Sequence, residues 1–180
     1  MPVLPLALLV TIRLYDSFGM PPADLRTAML TAGTALHSGA IRATWVVCPP
    51  PGAAPAGNSS GCTGLPHDRD LLVRIIRAPE ALPSTDTLGF AAVDTAAGRG
   101  TLATVFADRI ARFAARGGVD GATLLGYAIA HEIGHLLLGT DAHAPHGLMR
   151  AGWTLDEIRR RVPWDWRFSR EDAARVAHRQ

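Results

Sequence analysis

The chain has 180 residues, 48% of them hydrophobic and 19% charged, with a formal net charge of +2. That length holds one domain with a substantial core, and that composition excludes the low-hydrophobicity, high-charge class of disordered chains. All 18 basic residues apart from histidine are arginine, and they are scattered; Arg159-Arg160-Arg161 is the only run and reads as a solvated helix face, so nucleic-acid binding is not expected.

Residues 2–12 are apolar but have no cationic lead-in and no small-residue cleavage site followed by a polar start. They run directly into Arg13-Leu14-Tyr15-Asp16, which reads as a buried strand rather than a signal peptide. No stretch reaches the roughly 18 apolar residues that cross a bilayer, so no membrane contact is expected. Alternation of Val10, Ile12 and Leu14 predicts a strand over 8–15, ended by a turn at Asp16-Ser17-Phe18-Gly19. Pro21 and Pro22 suit the first turn of a helix, Leu25, Met29, Ala32 and Leu36 share one face of it, and Gly39 stops it. A strand over 41–47 follows.

Residues 49–66 contain five prolines and four glycines and read as a loop. Cys48 and Cys62, 14 apart, bracket it. They close the loop as a disulfide if the protein meets an oxidising compartment, and are otherwise two free thiols; neither belongs to a C-x-x-C pair, so a separate zinc knuckle is not expected. The sequence does not fix a location; it leans towards a secreted or extracytoplasmic setting, with any leader absent from this chain. Strands follow over 71–77, over 88–93 as a sheet edge flanked by Pro83 and Gly98-Arg99-Gly100, and over 101–107. A short helix over 108–116 then ends at Gly117-Gly118. No internal repeat is visible.

Asp120 is placed to cap a helix that runs to about Leu138, with Gly139 just beyond its end. The helix is apolar nearly all round, which is the composition of a buried helix. It nevertheless holds His131, Glu132 and His135, and burying such groups unpaired costs on the order of 2 kcal/mol or more each. Histidines four apart lie one turn apart on one face, so both imidazoles can reach one metal ion. Glu132, rotated beside them, can take a proton from a water that the metal activates. The composition of the chain gives about 0.006 chance occurrences of this H-E-x-x-H pattern. Two core histidines bonded to backbone are the plain structural alternative.

After the helix come Asp141, His143 and His146, all within reach of the same ion, and then Gly147-Leu148-Met149. Here the chain resembles the metzincin clan of zinc peptidases, whose pattern is H-E-x-x-H-x-x-G-x-x-H/D followed by a methionine-containing turn beneath the metal. The sequence departs from that pattern: the glycine position three after the second histidine is Leu138, and the glycine comes one later at Gly139. A gap-free match puts Asp141 at the third-ligand position. The displaced helix end favours His143, which is also the commoner ligand type and is the ligand taken here, while His146 remains a further alternative.

The resemblance implies an α+β fold of metzincin type: a mixed, twisted five-stranded sheet with a backing helix and an active-site helix, plus a small C-terminal helical subdomain. It implies a single catalytic domain over 1–180, with an upper subdomain at 1–139 and a lower one at 140–180 that carries the methionine turn. Zn2+ would be held by His131, His135 and His143, with Glu132 as the general base of an endopeptidase acting on protein or peptide substrates, read as a monomer. The strand at 88–93 would hold an extended substrate by edge pairing. Trp153, Trp164 and Trp166 would lie near the wall of a specificity pocket, or simply pack a small subdomain. The tyrosine that some clan members carry two residues after the methionine is Ala151 here, Tyr127 reads as structural, and Ser169-Arg170-Glu171-Asp172 opens a final helix. Two rival functions remain: a zinc-stabilised binding domain that no longer cleaves, and a zinc hydrolase of a non-peptide bond.

Overall fold

A computed structural model describes residues 7–49, 59–62, 67, 70–82 and 86–178. Five strands, β1 (Leu8–Asp16), β2 (Ile41–Cys48), β3 (Asp70–Ile76), β4 (Gly89–Asp94) and β5 (Arg99–Phe106), form one sheet in the order β2-β1-β3-β5-β4. The first four in that order run parallel; β4 is antiparallel to β5 and forms the edge, with a bulge between Ala92 and Val93. The helices are α1 (Pro22–His37), α2 (Ala107–Gly117), α3 (Gly121–Leu138), α4 (Leu155–Arg160) and α5 (Arg170–Ala177).

Val10, Ile12 and Leu14 of β1, Val73 and Ile75 of β3 and Val105 of β5 are buried with Ala28, Ala32 and Leu36 of α1 and Leu125, Ile129 and Ile133 of α3. Both helices therefore lie on one face of the sheet, and burying each large aliphatic side chain there contributes about 1.5–3 kcal/mol. α1 and α3 cross closely at Gly126, where a Cβ would come within 2.6 Å of the Ala28 carbonyl oxygen. Arg13 and Asp70 make a buried ion pair between the neighbouring strands β1 and β3, at 2.7 Å.

The strand edges shift by one or two residues from the sequence expectation. The largest shift is in β5, which starts at Arg99 because Arg99 and Gly100 pair with Asp94 and Val93 across a tight connection. The turn after β1 is as expected, and its cause is explicit: the Asp16 carboxylate accepts from the backbone N–H groups of Phe18, Gly19 and Met20. Cys48 and Cys62 are joined in a disulfide, with Cα atoms 5.5 Å apart. Most of the loop at 49–66, the flanking Pro83 and the first six residues lie outside the described residues. Among the described residues no helix is long and apolar enough to cross a membrane.

Helix α4 was anticipated only as the helix face assigned to Arg159-Arg160-Arg161, without its start or extent. Thr154 and Glu157 form a reciprocal capping box at its start, and Ile158 is its one buried residue. A helix this short carries no hydrophobic period, which is why the arginine run inside it showed only as a polar face.

Candidate metal centre

Helix α3 is held at both ends by its own sequence. The Asp120 carboxylate accepts from the Thr123 N–H at 2.7 Å, and Gly139 takes the left-handed conformation (φ 59°) that ends the helix. The chain then turns back under the helix. A Cβ at Gly134 would overlap the Met149 sulfur, so this glycine is what lets the methionine seat directly against α3. Met149 is 1% exposed, and the turn before it is anchored by the Leu148 N–H on the Arg167 carbonyl at 2.8 Å.

The same two segments orient the histidines. His131 Nδ1 lies 2.7 Å from the Leu148 carbonyl oxygen, and His135 Nδ1 lies 2.9 Å from that of Thr140. A carbonyl only accepts, so in each neutral ring the proton sits on Nδ1 and the Nε2 lone pair is left free. These two Nε2 atoms are 3.1 Å apart. With both protons committed elsewhere they cannot bond to one another, so two lone pairs converge on one point. Nitrogens at about 2.0–2.1 Å from a tetrahedral ion stand about 3.3 Å from each other, close to the observed spacing.

His143 completes the group. Its ring lies 4.7 Å from that of His135 and 5.4 Å from that of His131, centroid to centroid. One ligand atom from each of His131, His135 and His143 lies within 4.8 Å of the others, so the three can hold a metal ion. Asp141 and His146 are exposed and do not belong to this group, although Asp141 is near enough to favour the charged form of His135 electrostatically. Burial drives the His131 pKa down to about 3 and lowers that of His135, so both rings are neutral, as ligands must be. The donor set, all nitrogen and with the outer protons of His131 and His135 anchored on carbonyls, fits zinc chemistry.

Glu132 follows His131 directly on α3. It is 7% exposed, and desolvation raises its pKa to about 8. The carboxyl sits against the start of β4, where a Cβ at Gly89 would come within 2.9 Å of Glu132 Oε1. His131, Glu132 and His143 line a cleft of about 970 Å³ between the β4 entry, α2 and residues 150–154. Trp153 lines it too, edge-on to His131 at 5.8 Å, while Trp166 is buried against Tyr127 (4.4 Å, stacked) and Trp164 is 72% exposed. The three tryptophans thus divide into one cleft residue, one packing residue and one surface residue.

The sequence reading did not single out Gly89 or the α2 wall of the cleft. For α2 a signal existed: Arg109, Arg112, Phe113 and Arg116 recur at helical spacing on one face. What that face meets depends on tertiary packing and was not legible.

No protein-family model and no curated protein matches the chain. Solved structures do. An archaemetzincin from Methanopyrus kandleri is similar with a TM-score of 0.56 at 16% identity, over 95% of this chain and 96% of that one. A zinc-dependent peptidase from Methanocorpusculum labreanum has a TM-score of 0.59 at 16% identity, over 92% and 99% respectively. Metalloproteinase-II from Bacteroides fragilis has a TM-score of 0.59 at 15% identity, over 97% of this chain and 53% of that one. At these identities the likeness is one of fold, and the fold is one that zinc peptidases use.

Proposed function

We propose that this chain is a zinc-dependent endopeptidase of the metzincin kind, with His131, His135 and His143 as the zinc ligands and Glu132 as general base. The observation that carries the reading is the convergence of the three imidazoles of His131, His135 and His143 on one point, where His131 and His143 line a cleft together with the buried carboxyl of Glu132. When bound, zinc supplies Lewis acidity at the bottom of the cleft, enough to polarise a carbonyl and to bring the pKa of water to about 7.

The protein's own groups do the rest. Leu148 and Thr140 hold the two helix imidazoles in the tautomer that leaves Nε2 open. Glu132 accepts a proton from water and later delivers it to the nitrogen of the departing amine. Its desolvated setting raises its affinity for a proton, which suits it to take one from water. The outer edge of β4, which no strand pairs among the described residues, is available to hydrogen-bond an extended peptide across the cleft mouth. In this reading 1–180 is one catalytic domain, with the cleft floor built at the junction of 1–139 and 140–180.

The test is incubation of the zinc-loaded protein and its Glu132→Ala variant with casein and with a peptide library. Cleavage by the parent and none by the variant is the expected result. Absence of cleavage by both, with zinc bound, would leave a binding domain or a hydrolase of another bond.

A further inference from the structure

The wall of the cleft facing His131 and Glu132 is cationic. Helix α2 presents Arg109, Arg112 and Arg116 to it at positions i, i+3 and i+7, with Phe113 between them, and Arg150 adds a fourth guanidinium near the floor. Only Asp86 and Glu132 are acidic among the lining residues.

The four arginines are not equivalent. Arg109 is buried and donates to the carbonyls of Thr87 and Leu82, which fixes the entry to β4. Arg112 pairs with Asp108 at 3.0 Å on the solvent side. Arg150 donates to the Gly147 and Asp165 carbonyls and pairs with Glu157 at 3.5 Å. Arg116 is exposed, its guanidinium 5.4 Å from the centre of the Phe113 ring, and no carboxylate pairs with it among the described residues. An arginine held over an aromatic ring keeps its hydrogen-bonding edge free for a planar acceptor.

We propose that this wall selects peptides carrying a carboxylate beside the bond that is cut, with Arg116 as the residue that binds it. The inference rests on the peptidase reading and names its substrate class. An aspartate or glutamate side chain and a free C-terminal carboxylate present the same two-oxygen acceptor. The apolar stem of a glutamate would lie against Phe113 and Trp153, which line the same cleft.

Binding separates this inference from catalysis. The zinc-loaded Glu132→Gln protein is titrated with fluorescent peptides that are identical except for glutamate or glutamine at each position in turn. Each is made with a free or an amidated C-terminus. Glutamate at one position, or the free C-terminus, is expected to tighten binding about 10-fold at low salt, and Arg116→Ala should reduce that preference to under about 2-fold while binding of the neutral peptide stays unchanged. Arg116→Glu should reverse it in favour of a lysine-bearing peptide. Which peptide arm responds identifies the source of the carboxylate. Equal binding of acidic and neutral peptides, or a preference that survives both Arg116 variants, overturns the proposal. Carboxylate-dependent binding without hydrolysis by the unmutated protein overturns the peptidase reading alone.

Discussion

Replacing Glu132 by glutamine should make the metal-free protein more stable at neutral pH and catalytically dead. Burial raises this carboxyl from its ordinary 4.5 to about 8, so the folded state prefers it protonated. The stability this contributes is fully present below about pH 4.5 and is lost as the pH climbs towards 8. At about 1.4 kcal/mol for each pH unit in that window, the metal-free parent loses on the order of 3–4 kcal/mol between pH 4.5 and 7.5 on account of this one group. Glutamine has nearly the same shape and does not ionise. The difference in unfolding free energy between Glu132→Gln and parent should therefore grow by about 3 kcal/mol from pH 4.5 to 7.5, or about 10 °C in Tm. All other ionisable groups are common to the two proteins, so their contributions cancel in that difference. Urea titrations in the presence of a chelator at several pH values measure it. A difference that stays within about 0.5 kcal/mol across the range would refute the claim that the carboxyl is desolvated. Saturating zinc should shrink the effect, because a nearby cation favours the carboxylate.

Gly134→Ala drives a methyl group into the Met149 sulfur and within 3.1 Å of Phe168, so it should cost about 1–3 kcal/mol and lower zinc retention during dialysis; an unchanged urea midpoint would contradict the close seating of Met149 against α3. Replacing both Cys48 and Cys62 by serine opens a loop with a sequence separation of 14 and should lower stability by about 3 kcal/mol without changing zinc stoichiometry, as read by thermal melts and metal analysis.

The legibility of this fold in its sequence followed the reach of each signal. Helix α3 was visible from end to end because its cap, its apolar run and its terminating glycine are local features, and Asp120 and Gly139 stand where expected. The strands were visible from alternation, with edges blurred where pairing rather than composition decides, as at Arg99 and Gly100. The start of helix α4 was missed although Thr154-Leu155-Asp156-Glu157 spells a capping box, since a single buried residue, Ile158, leaves no period to find and only the arginine face was read. At the site, the spacing of His131 and His135 announced itself. The choice among Asp141, His143 and His146 depended on how the chain turns after Gly139, and only the folded path brings the His143 ring beside the other two. Gly89 and the arginine face of α2 gained meaning from what they meet across the cleft.

Zinc content together with the coordination sphere, measured by elemental analysis and X-ray absorption on the parent, His143→Ala and Asp141→Ala proteins, tests the central claim most directly. One zinc per chain with three imidazole ligands, retained in Asp141→Ala and largely lost in His143→Ala, is the predicted result. A parent that takes up no stoichiometric zinc, or zinc that survives His143→Ala and departs with Asp141→Ala, contradicts it.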